Sequence, residues 1–133
     1  MANSGRFKKL LFSAALFNWI AASALCFAYQ PLFQIGGITP LPTHPLFLQL
    51  FAVLAFLFGV GYYWASRDLE RNRNIIILGT LGKLLVFLFS LGYWLAGSIS
   101  WKLLILVSVD LVYALLFIHI LTTGTTCNEA RFQ

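Results

Sequence analysis

Lys83 and Asp110 are charged side chains set deep inside apolar sequence, and their types and positions invite chemistry. A charge at membrane depth costs ~2.5–3.5 kcal/mol on insertion scales and normally faces the interior of a helix bundle. An amine and a carboxylate brought together there can serve as a structural ion pair, as the polar end of a ligand site, or as carriers of protons. The alternative is a Lys83 that snorkels to the membrane surface beside a separately hydrogen-bonded Asp110. Lys83 stands about 12 Å along its apolar run and Asp110 roughly 16 Å from the same edge, at 1.5 Å per helical residue. They run in opposite directions, so the height difference is only about 4–5 Å, which a lysine stem can cover. Contact between the two is therefore expected. Asn18 belongs at the depth of Lys83, Gly59 and Gly61 lie nearby and allow close approach or leave space, and Tyr113 is one turn from Asp110 on the same face. The candidate site is thus a polar cluster of Asn18, Gly61, Lys83, Asp110 and Tyr113, joined by Tyr62 or Tyr63.

Little else in the chain carries chemistry. His44 has no second ligand near it in sequence, and a lone imidazole is a poor metal site. His119 belongs at the opposite membrane face, which argues against bis-histidine haem ligation within one subunit and makes it at most an extension of a proton path. No nucleotide or metal signature is present, and a lone Asp and Lys lack a nucleophile. No cofactor, metal or nucleic acid is expected, and the chain reads as a non-enzyme.

The elements that must position the cluster are four apolar runs, at residues 10–29, 46–66, 75–97 and 101–121. Each is close to the ~20 residues a helix needs to cross ~30 Å of hydrocarbon, and none shows the alternation of barrel strands. Composition agrees: 60% hydrophobic and 10% charged residues, with a mean hydropathy of +0.86, lie far from the soluble norm of about 45–50% and 25%. The expected architecture is all-α, an integral-membrane antiparallel four-helix bundle that uses residues 1–133 as one domain.

The net charge of +5 is dispersed at the ends of the runs rather than gathered in a nucleic-acid patch. Arg6, Lys8, Lys9, Arg67, Arg71, Arg73 and Arg131 fall on one side and Lys102 alone on the other. The positive-inside rule then places both termini and the second connection in the cytoplasm. Arg6 to Ala24 also resembles an export signal ending in Ala22-Ser23-Ala24, but the apolar run continues to Tyr29, longer than such a signal's core. Retention as a span is expected. Cys26 belongs near the outer end of the first span and Cys127 in the cytoplasmic tail, so the two are not expected to pair.

The first connection, residues 30–45, is too rich in Pro and Gly to continue a helix and reads as an interfacial turn, with a lid over an internal site as the alternative. The second, residues 67–74, makes the second and third spans antiparallel neighbours, with Asn74 as N-cap. The third, Gly97 to Ser100, makes the third and fourth spans a hairpin. Tyr93, Trp94 and Trp101 suit the outer aromatic belt and Tyr62, Tyr63 and Trp64 the inner one. Gly124 is an expected helix stop.

Residues 45–51, the segment Gly59-Val60-Gly61-Tyr62-Tyr63-Trp64-Ala65-Ser66-Arg67-Asp68, the stretch Leu78-Gly79-Thr80-Leu81-Gly82-Lys83 and Asp110 resemble a family of small, uncharacterised bacterial four-helix membrane proteins. In overall plan the chain also resembles DoxX-type proteins. The resemblance implies a bacterial inner (cytoplasmic) membrane location and brings no assigned activity with it. Small multidrug transporters also have four helices, but carry an essential glutamate in the first, where this chain has Asn18. Two functions remain in competition. One is an accessory or interaction subunit of another membrane protein or of a homo-oligomer, for which Ala14, Ala21, Ala24 and Ala28 offer a small-residue stripe. The other is a small transporter or binder of an apolar, lipid-like ligand that uses the Lys83/Asp110 cluster.

Overall fold

The computed structural model describes residues 2–129. It consists of α1 (Ala2–Phe27), α2 (Tyr29–Gly36), α3 (Leu46–Arg67), α4 (Arg73–Leu95) and α5 (Trp101–Glu129), with no strand among the described residues. Four of these helices are long and apolar enough to cross a membrane: Ser4–Phe27 of α1, α3, α4, and Trp101–Thr123 of α5. Many of their large apolar side chains, such as Leu57, Leu81, Leu88 and Ile105, point outward. Such a surface is stable only against acyl chains, where a helix satisfies its own backbone amides. The chain is an all-helical, multi-pass membrane protein.

The long helices associate in two pairs, α1 along α3 and α4 along α5. Small residues explain the first pair. Ala14 and Ala15 of α1 are fully buried, and the carbonyl of Ala15 lies only 3.2 Å from where a Cβ on Gly59 of α3 would stand. Without side chains in the way, the backbones approach closely and gain dispersion contacts that lipid cannot supply. By contrast α3 and α4, expected as close neighbours from their short connection, meet over a limited area where Gly61 faces Ile75 and Tyr62 faces Gly79. A short turn dictates antiparallel direction but not contact area.

Where the pairs meet, a core forms from Leu11, Ala14, Ala15, Tyr62, Ala65, Ile76, Phe117 and Ile120. It sits toward the end where Lys8, Lys9 and Arg67 gather. Tyr62, assigned to an aromatic belt from sequence, is instead 1% exposed, with its ring edge-on to Phe117 at 5.0 Å. Its neighbour Trp64 does face outward.

The remaining differences lie at helix ends. Asn72 rather than Asn74 occupies the N-cap position of α4, without a side-chain capping bond, and in the turn before it Asp68 Oδ1 accepts from the Arg71 amide. The Asn72 side chain donates to the carbonyls of Asp68 and Trp64, which ties α4 back to α3. α4 ends at Leu95, with Gly97 at φ 72°. Gly124 does not stop α5, which continues to Glu129, since a single glycine weakens a helix by about 1 kcal/mol without ending it. Arg131 and the side chain of Cys127 lie outside the described residues.

The first connection contains a helix despite its prolines. α2 accommodates Pro31 in its first turn, where an amide has no intrahelical partner to lose. It closes on Gly37 at φ 60°, where the amides of Gly37 and Ile38 donate back to Gln34 and Phe33. A left-handed C-cap favours glycine, and Lys102 Nζ occupies the place a side chain there would need. Beyond it the chain reaches Ser100, at the start of α5. The Ser100 amide donates to Thr39 O at 3.0 Å, and the Thr39 amide donates to Ser100 Oγ at 3.2 Å. The first connection is thus fastened to the third.

Candidate functional site

Three helices bring the polar cluster together. Lys83 of α4 forms an ion pair with Asp110 Oδ1 of α5, and its ammonium also donates to Asn18 Oδ1 of α1 at 3.2 Å. Asn18 spends its own amide on the carbonyl of Ala55 in α3, at 2.9 Å, so the network reaches all four long helices. The rings of Phe17, Tyr62 and Tyr113 surround Nζ at 5.5 to 5.6 Å from their centroids. A cation held by a carboxylate, an amide and three π-faces does not need water, which is how a lysine 6% exposed remains inside an apolar bundle. The snorkelling alternative is not what the structure shows.

From this pair a cavity of about 510 Å³ extends away from the basic end toward α2. All five helices contribute to its wall, through residues such as Ala21, Phe33, Leu54, Val86 and Val107. Lys83, Asp110, Asn18 and Tyr62 supply the polar groups of the lining. It is an open cleft rather than a sealed void: Ile20 and Leu54 on its walls are 69% and 58% exposed. Volumes of ~300–1,000 Å³ with mainly apolar walls and few polar groups are typical of small-molecule sites.

The glycines sort differently from the sequence reading. Gly61 does not open space beside Lys83; a Cβ there would stand 2.9 Å from Ile75 Cγ2, so the position serves helix packing. Gly59 is filled by Trp19. The space comes instead from Gly82, where a Cβ would meet nothing within 4 Å, whereas Gly79 is filled by the ring and hydroxyl of Tyr62. Both line the cavity, yet sequence alone offered no reason to prefer them, because the volume arises from how the two helix pairs diverge.

Tyr113 lies beside the cluster, where its hydroxyl meets Ser13 Oγ at 3.2 Å and its ring faces Lys83. Of the two tyrosines offered as additions, Tyr62 joins the ammonium, whereas Tyr63 packs on Phe12 and Trp19. His119 is placed edge-on against Phe7 and His44 stands exposed in the first connection. Among the described residues no group of His, Cys, Asp and Glu could hold a metal ion. The alanine stripe of α1 is turned inward: Ala14 is in the core, and Ala21 and Ala24 line the cavity.

Comparison with known proteins gives a partial likeness. An alignment 70 residues long, which covers 44% of this chain, is 36% identical to a long-wavelength rhodopsin of Apis mellifera and covers 19% of that protein. The chain therefore spans about a fifth of that relative's length. The likeness is compatible with a membrane protein and carries no specific function. No protein-family model matches the chain, and no solved structure matches it.

Proposed function

We propose that this protein binds an apolar, lipid-like ligand in the cleft whose inner end is the Lys83–Asp110 pair, without performing catalysis. One observation carries the reading. An ion pair that only fixed helix packing would be enclosed by side chains, whereas here both partners line a 510 Å³ cavity and the Asp110 side chain retains 23% of its surface. The competing reading, an accessory subunit docked through a small-residue stripe, has less support, because Ala14, Ala21 and Ala24 of that stripe face inward and only Ala28 lies outside the core and the cavity lining.

A hydrocarbon chain bearing a diazirine, added to the protein in nanodiscs, is expected on irradiation to label cavity residues such as Ala21 and Val86. Gly82→Leu is expected to suppress that labelling at least fivefold while the protein still elutes as a monodisperse species, since its side chain enters open space. Labelling confined to outward residues such as Leu57 and Leu88, unaffected by Gly82→Leu, would refute the reading.

We further propose a bacterial inner-membrane location with both termini cytoplasmic, supported by the basic residues and by the resemblance to small bacterial four-helix proteins. With Cys26 and Cys127 replaced by alanine, a cysteine at Glu70 is expected to resist a membrane-impermeant maleimide added to intact spheroplasts. A cysteine at Thr43 is expected to react. The opposite pattern would invert the topology.

A further inference from the structure

We infer that the cleft selects a neutral lipid ending in a single hydroxyl, such as a prenol or sterol, over lipids ending in a carboxylate, an amine or an ether. This rests on the cleft being a ligand site, and it follows from which polar valences at its inner end are spent. Asn18 spends one amide proton on Ala55 O and accepts from Lys83 at its carbonyl, which leaves its second amide proton as a further donor. The Lys83 ammonium has three protons and two hydrogen-bond partners, Asn18 Oδ1 and Asp110 Oδ1. Asp110 uses Oδ1 in that bond, which leaves Oδ2 as an acceptor on a side chain that is partly exposed and lines the cavity. Tyr62 lines the same end, and its hydroxyl makes no hydrogen bond to any described residue. The inner end therefore presents one strong acceptor, Asp110 Oδ2, beside donors on Lys83, Asn18 and Tyr62.

Charge decides the rest. Lys83 and Asp110 neutralise each other, so an incoming carboxylate would set a second anion against Asp110 and an incoming ammonium a second cation against Lys83, in a medium that screens neither. A hydroxyl adds no charge. It can donate to Asp110 Oδ2 while its oxygen accepts from Lys83 or Tyr62, so it fits both kinds of vacancy. An ether or ester oxygen accepts only and leaves Asp110 Oδ2 unengaged. A site built around hydrogen bonds to a hydroxyl rejects analogues that lack it, because its own polar groups are then left unpaired. The remaining wall is apolar and takes the hydrocarbon body.

The test uses the unaltered protein in phosphatidylcholine nanodiscs, labelled with a diazirine-bearing farnesol. Unlabelled farnesol, farnesyl methyl ether, farnesoic acid and farnesylamine then compete at equal mole fractions. Farnesol is expected to compete at least tenfold more effectively than each of the others. Equal competition by the ether, or better competition by the acid or the amine, overturns the selection for a hydroxyl while leaving an apolar ligand site in place. Absence of labelling in the cleft by farnesol, together with labelling there by a plain diazirine hydrocarbon, also overturns it. Failure of both probes to label the cleft removes the ligand site itself.

Discussion

Lys83→Met in a chain that keeps Asp110, or Asp110→Leu in a chain that keeps Lys83, is expected to lower stability against SDS-induced unfolding by ~3–5 kcal/mol, the cost of stranding one member of a buried pair. The double substitution is expected to recover most of that loss. The reason is geometric: the ammonium is held by Asp110 Oδ1 and Asn18 Oδ1 inside a ring of three aromatic faces. Replacing both charges by apolar groups of similar size removes the conflict. Unfolded helices in a membrane also find polar partners, which can bring each single loss nearer to about 1–2 kcal/mol, but the sign of the non-additivity is unaffected. Strictly additive losses would mean that the two side chains act independently, against the structure.

The second large effect concerns two glycines one turn apart on α4. Gly79→Ala is expected to destabilise the protein by ~1–3 kcal/mol, an overpacking cost, because the added methyl would stand 2.5 Å from Tyr62 Cε1 and hydroxyl in a side chain that is 1% exposed. Tyr62 cannot yield without disturbing its contact with Phe117. Gly82→Ala meets nothing and is expected to be neutral or stabilising by up to about 1 kcal/mol, the ordinary gain in helix propensity. Thermal unfolding followed by circular dichroism in detergent checks both. A Gly79→Ala protein as stable as the parent would show that α3 and α4 are not in contact there.

Much of the scaffold was legible in the chain because hydrocarbon imposes one simple rule, that a span be long, apolar and helical. Residues 46–66 and 101–121 fall almost wholly within α3 and Trp101–Thr123 for that reason. The depths of Lys83 and Asp110 followed from counting along two antiparallel helices. What sequence did not disclose is lateral arrangement. Ala15 and Gly59 draw α1 against α3 although forty residues of chain separate them, whereas the short turn before α4 suggested a partner that α3 touches only locally. Gly61 and Gly82 look alike on paper; Ile75 fills one and nothing fills the other. α2 was hidden by counting prolines without asking which position in a helical turn each occupies.

The way Asn18 is used has a bearing on biosynthesis. Helices enter the bilayer from the N-terminus onward, so Lys83 reaches the hydrophobic interior before Asp110 does. Asn18 is already there. Its carbonyl oxygen, 3.2 Å from the ammonium in the finished bundle, is a partner that the nascent lysine can find on an earlier helix. In that order a hydrogen-bond acceptor for the cation enters the bilayer ahead of its counter-charge, and the ion pair with Asp110 completes the contact.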